Sequence, residues 1–201
     1  MVAGPAAAQF GRGGPGMRPP QVRGVLNPVV GSGAVYQTAN GEVEISLVGK
    51  EDVGGKPGYW VQIGVGQMYM KNLTVVDGKN MTVSRMIMQP PGGGPMEMSP
   101  AMFGAPPGAD VREGQLVGTE SVTTPAGTFN CEHYRANNGS WEAWIAPNVP
   151  PWGLVKSKSE SGEMTLLRTI TGVKDRITGT PQKFELPPGF GGIPEGVIPG
   201  R

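Results

Sequence analysis

The chain has 201 residues, a net charge of +1 and only 16% charged residues, with no run of like charges. That excludes the basic stripe of a nucleic-acid binder, which must release counterions from phosphates. No stretch approaches the ~18 consecutive apolar residues of a membrane-spanning helix, and a single cysteine excludes an intrachain disulfide.

The length suits one domain with a core of its own. Glycine (34) and proline (21) are unevenly spread: 13 of them fall in residues 1–33, 12 in 90–114 and 9 in 186–201. The spacing therefore predicts a disordered leader over 1–30, a single antiparallel β domain over 31–180 with a Met/Gly/Pro-rich loop at 90–114, and a flexible tail over 181–201. The leader contains Ala6-Ala7-Ala8 before Gln9. That small-residue pattern reads either as the remnant of a signal peptide or as an Ala-rich disordered segment.

Through the body, apolar residues recur with period two and helical periodicity is nearly absent. In EVEISLV, Val43, Ile45 and Leu47 share a face, with Glu42, Glu44 and Ser46 opposite. Tyr59, Val61, Ile63 and Val65 align in the same way. MYMKNLTVV and MTVSRMIM flank DGKN at 77–80, which predicts a hairpin turning at Gly78. SPAMFG predicts one short helix inside the Met-rich loop, with Ser99 as N-cap, Pro100 at its first position and Gly104 as its stop. Further strands are expected at 116–123, 128–136, 140–145, 153–160, 163–171 and about 173–179, with turns at Pro125-Ala126-Gly127, Asn137-Asn138-Gly139 and Ser161-Gly162. The predicted fold is mainly β: a curved antiparallel meander, half-barrel or open barrel, with at most one or two short helices. One face is expected to be buried and the other wet.

The residues that could carry chemistry are few. Cys131 and His133, the only Cys and His, share a strand face at spacing two. Zinc would need further nitrogen, sulfur or carboxylate ligands. A nucleophilic pair would need a hydrogen bond, but side chains two apart on a strand lie ~6.5–7 Å from one another. The plain reading is a small buried Cys beside a His at a sheet margin. No phosphate loop or nucleophile elbow is present, and no motif requires a cofactor. The 11 methionines are more suggestive, with Met68/Met70, Met86/Met88 and the run Met96, Met98, Met102. Thioethers fill irregular apolar gaps and suit adaptable binding surfaces, and they are also soft ligands for Cu(I). Trp144 and Trp152 are further candidates to line a ligand site.

Three segments are similar as a set to a family of secreted bacterial proteins of uncharacterised activity: VGTESVTTPAGTFNCEHYR (117–135), WIAPNVPPWGLVKSKSESGEMTLL (144–167) and RMIMQPPGGGPMEM (85–98). The resemblance covers about 33–180 and implies a periplasmic or secreted location. More distantly the pattern resembles the half-barrel of periplasmic lipoprotein carriers, in which a curved sheet wraps an apolar cavity.

From these features the leading expectation is a non-enzymatic extracytoplasmic protein that holds a lipid or other apolar small molecule. Met96, Met98, Met102 and Phe103 would act as an adaptable lid, with Trp144 and Trp152 lining the cleft. The first alternative is periplasmic copper binding through Met96, Met98 and Met102, joined by Cys131 and His133 if they face the loop. The second is a structural or interaction module; the residues name no protein partner.

Overall fold

The computed structural model of the protein describes residues 22–100 and 109–184. Its strands are β1 (Val22–Arg23), β2 (Ser32–Thr38), β3 (Gly41–Val53), β4 (Lys56–Val65), β5 (Met68–Asp77), β6 (Asn80–Gln89), β7 (Met96–Met98), β8 (Ala109–Asp110), β9 (Gly114–Thr124), β10 (Gly127–Ala136), β11 (Trp141–Ile145), β12 (Leu154–Ser159), β13 (Gly162–Thr171) and β14 (Gln182–Lys183). Twelve of them form one curved sheet, in the order β14-β7-β6-β5-β4-β3-β2-β13-β12-β11-β10-β9, which stays open at both edges. β1 and β8 make a separate parallel pair. The expected mainly-β curved meander is therefore present, as an open sheet, with only the β14/β7 pairing parallel. A 3-10 turn at Val111–Glu113 follows β8. Most of the helix expected at 99–104 lies outside the described residues. No α-helix fills the inner face among the described residues, a difference from the arrangement that the distant carrier resemblance implies.

The sheet consists of two meanders, β2–β7 and β9–β13, zipped together where β2 pairs with β13. The β5–β6 hairpin turns where its sequence requires. Asp77 pairs with Asn80, and Gly78 takes φ 59°, a left-handed conformation that costs glycine nothing.

β2 is the central strand, and residues 32–36 are buried whichever face they point to. Gly33 is needed there, because a Cβ would stand 2.6 Å from the Ile45 carbonyl oxygen on β3. The fully buried Tyr36 donates its hydroxyl to the Leu154 carbonyl on β12 at 3.0 Å, across the join. Tyr36→Phe leaves that carbonyl without the phenol and is expected to cost about 1–2 kcal/mol in urea unfolding.

Directly paired residues share a face, so the register defines the inner surface. One row runs Ala34, Ile45, Ile63, Met70, Met88, Met96 from β2 to β7, and the next runs Ser32, Leu47, Val61, Asn72, Met86, Met98. The aliphatic members are buried in a core that continues through Leu166, Leu154, Ala143 and Trp141 in the second meander.

The outer face differs from expectation. It is not simply wet: Leu73, Val75 and Ile87 are buried there, and the segment that links β13 to β14 lies against the neighbouring Gln62 and Lys71. In place of the strand expected at 173–179, this segment forms a strap. The Arg176 backbone N–H donates to the buried Gln62 side-chain oxygen at 2.8 Å, Asp175 pairs with Lys71, and Ile177 is 4% exposed.

The boundaries also differ from expectation. Val22 is fully buried, and Gly24 lies so close to Trp152 that a Cβ would be 1.8 Å from its carbonyl oxygen. The folded body therefore begins before residue 31. It also extends past 180, since β14 lies beside β7.

Candidate functional site

The pair Cys131–His133 stands on β10, and eight strands separate β10 from β7 in the sheet order. The Cys131 thiol is fully buried and points its hydrogen at the Phe129 carbonyl, 3.7 Å away. Burial first, then the field of Glu120, pushes its pKa up to about 11, so it stays a thiol at neutral pH. A thiol held protonated is neither a nucleophile nor a ready metal ligand.

His133 is committed to its neighbours. Its ring stacks on Trp144 with centroids 4.5 Å apart and 15° between planes. Its Nδ1 lies 3.1 Å from Glu120 Oε1, while its Nε2 makes no hydrogen bond, with Glu142 Oε2 3.6 Å away. The Trp144 indole N–H donates to Glu120, and Arg135 holds Glu142 at 2.7 Å. The Lys156 and Lys158 ammonium groups each lie 5.9 Å from the Trp144 ring centre. Lys156 also binds Glu163 at 2.8 Å, and that hydrogen bond, outweighing the effect of burial, holds the Glu163 carboxyl below its usual range. Among the described residues no three His, Cys, Asp or Glu side chains converge to hold a metal ion. The cluster is a network of protein groups that links β9–β13, and within it His133 Nε2 alone among the ring and indole nitrogens has no hydrogen-bond partner.

Two corrections to the expected site follow. Cys131 and His133 do not face Met96 and Met98 as ligands, because burial and these partners occupy them. Trp144 and Trp152 do not line an open cleft. They are 8% and 3% exposed, Trp144 against His133 and Trp152 in the core beside Gly24 and the cis Pro150–Pro151 turn.

The methionines are brought together. Met96 and Met98 are not lid residues: they form β7, antiparallel to β6, with Met88 opposite Met96 and Met86 opposite Met98. Met70 on β5 lies opposite Met88. Met68 points the same way by strand alternation, and Met81 does so by pairing with Val76 beyond a β-bulge in β6, so seven of the eleven methionines share the inner face of β5–β7. Met102 and Phe103 lie outside the described residues. Met70 and Met86 belong to the buried core, whereas Met88, Met96 and Met98 are half-buried. Opposed Cβ atoms in such rows lie about 4.5–5.5 Å apart, so neighbouring thioethers can reach a common ligand.

One residue in this surface stands out, and sequence reasoning passed over it. Asn72 sits between Val61 and Met86 in the second inner row; it is 5% exposed, and its Oδ1 is buried without a hydrogen-bond partner. The available signal was a polar residue at the apolar parity of MYMKNLTVV, in step with Met68 and Met70.

Elsewhere, Lys50, Glu51, Asp52, Gly55 and Pro57 line an open cleft of about 400 Å³ at the β3–β4 turn. The edge strand β9 leaves Leu116 and Val117 more than half exposed.

No helix among the described residues is long and apolar enough to cross a membrane. No protein-family model matches the chain, and no curated protein sequence does. Two solved structures resemble it. One is a protein from Bacteroides fragilis described as exported and of YmcC-like fold, with 16% identity over 73% of this chain and 99% of that one, at a TM-score of 0.35. The other is a protein from Parabacteroides distasonis described as a lipoprotein, with 12% identity over 74% and 99% of the two chains, at a TM-score of 0.33. Neither likeness is close enough to carry a function across to this chain.

Proposed function

We propose that the protein is an extracytoplasmic, non-enzymatic binding protein that takes a lipid or acyl chain on the methionine-lined end of its inner face. The observation that carries this reading is the pair of cross-strand rows ending in Met70–Met88–Met96 and Met86–Met98, which leaves half-buried thioethers at the margin of a continuous core. Methionine is unbranched and polarizable, so such a surface repacks around an apolar chain at little cost. Affinity would come from apolar area removed from water, worth ~25 cal/mol per Å² before ordering costs. The resemblance of the sequence to secreted bacterial proteins supports the location.

The test is a native mass spectrum of protein purified gently from a bacterial periplasm. The expected result is an added mass that is lost on denaturation, extracts into organic solvent and disappears in Met88→Glu. A clean unliganded mass, together with failure to bind the neutral apolar fluorophore N-phenyl-1-naphthylamine, overturns the reading.

The directly opposed trio Met70, Met88 and Met96 favours one second reading, Cu(I) held by thioethers. One-to-one Cu(I) uptake that is abolished by Met88→Leu would replace the lipid with the metal.

A further inference from the structure

The Asn72 side chain is an amide set into an otherwise apolar surface. Its direct neighbours across the strands are Val61 and Met86, with Met98 next in the row and Met70 two residues before it on β5. Buried amide oxygens are almost always hydrogen-bonded, and one left alone destabilises the fold. Asn72 Oδ1 is such an atom, on a side chain more than nine-tenths buried. Ligand sites are built in this way, with a mostly apolar lining and a few placed polar groups that fix orientation.

We propose that Asn72 is the polar anchor of the methionine-lined surface. Its Oδ1 accepts a hydrogen bond from an O–H or N–H at the head of an amphiphile whose apolar chain lies over Met70, Met86, Met88, Met96 and Met98. This rests on the reading of that surface as a ligand site and adds the chemical class of the ligand: a chain ending in a neutral hydrogen-bond donor, such as an alcohol or a primary amide. A pure hydrocarbon satisfies the methionines and leaves the amide oxygen as it was. A carboxylate or an ether brings a second acceptor against it.

The proposal is tested with three probes of one size, 1-octanol, 1-methoxyheptane and octane, each displacing N-phenyl-1-naphthylamine from the full-length protein. The alcohol is expected to bind about tenfold more tightly than the other two, the worth of one buried hydrogen bond. In Asn72→Leu the three probes become equal, and the Tm of the unliganded variant rises because the orphaned amide is gone. The wild-type ranking decides the matter even if that variant fails to fold. Equal affinities in the wild type, preference for the ether, or an alcohol preference that survives in Asn72→Leu each overturn the anchor while leaving the apolar surface standing. If the fluorophore does not bind at all, the reading of the surface fails and the anchor fails with it.

Discussion

Leu166→Ala is expected to lower stability by about 3 kcal/mol, read as a fall in the urea midpoint at unchanged slope. Leu166 has no exposed surface and lies directly opposite Tyr36, in the β2/β13 ladder that joins the two meanders. Truncation removes the burial of its side chain and leaves a void that neighbouring strands cannot close, because Ala34, Ile45 and Leu154 are held by their own pairings. Hydrogen exchange should quicken first along β2 and β13. A loss below about 1 kcal/mol would mean that the join is not close-packed and that the halves are held elsewhere.

Asp110→Asn is the second large effect, at about 2–3 kcal/mol near neutral pH. Asp110 ends β8, accepts the Arg112 backbone N–H at 2.9 Å, and binds the Arg112 guanidinium through both carboxylate oxygens. Arg23 lies near it, with burial lowering its pKa and the Asp110 charge working against that, and its Nε has no hydrogen-bond partner. Removing the carboxylate leaves the Arg23 and Arg112 charges repelling each other, with Glu113 as the remaining nearby counter-charge. Burial alone would raise the Asp110 pKa, but the hydrogen bonds and charge of Arg112 outweigh it, so the net shift is downward. A carboxyl whose folded pKa lies below its unfolded value contributes stability that is present above the unfolded pKa and lost as pH falls through the folded one. Wild-type stability should therefore decline as pH drops below about 4, the ordinary Asp value. The variant should lose the part of that acid slope that Asp110 supplies, which chemical denaturation between pH 7 and 2.5 would show.

Much of the first meander was legible because its strands are half-buried. Alternation in EVEISLV and in Tyr59–Val65 assigns each side chain to a face, and Gly78 fixes the hairpin. β2 escaped because SGAVYQT is covered on both sides and so carries no alternation to read. β7 escaped because its three residues sit among prolines and glycines, and its strand character comes from pairing with β6. The strap was mistaken for a strand. Asp175 and Ile177 have strand-like spacing, but Asp175 and the Arg176 N–H are held by the Lys71 and Gln62 side chains of the outer face, and the Ile177 N–H donates to Asp175 within the strap.

The candidate site divides in the same way. Spacing two within Met86/Met88 and Met96/Met98 placed each pair on one face, and no local pattern said that the pairs would be opposed. Cys131 was expected as a buried residue beside His133 on a strand, and both stand on β10, but the residues that surround His133, Glu120, Glu142 and Trp144, lie on other strands.

Alternation and turn residues by themselves determined that this chain forms antiparallel strands, and in EVEISLV and Tyr59–Val65 they determined which side chains point inward. Tertiary structure alone decided that β2 lies beside β13, that the methionines form rows, and that Asn72 is buried among them. The reason is that side-chain periodicity is a local property of a strand, whereas backbone hydrogen bonding accepts any partner. The choice of neighbour and register is made by the matching of apolar faces across strands far apart in the chain.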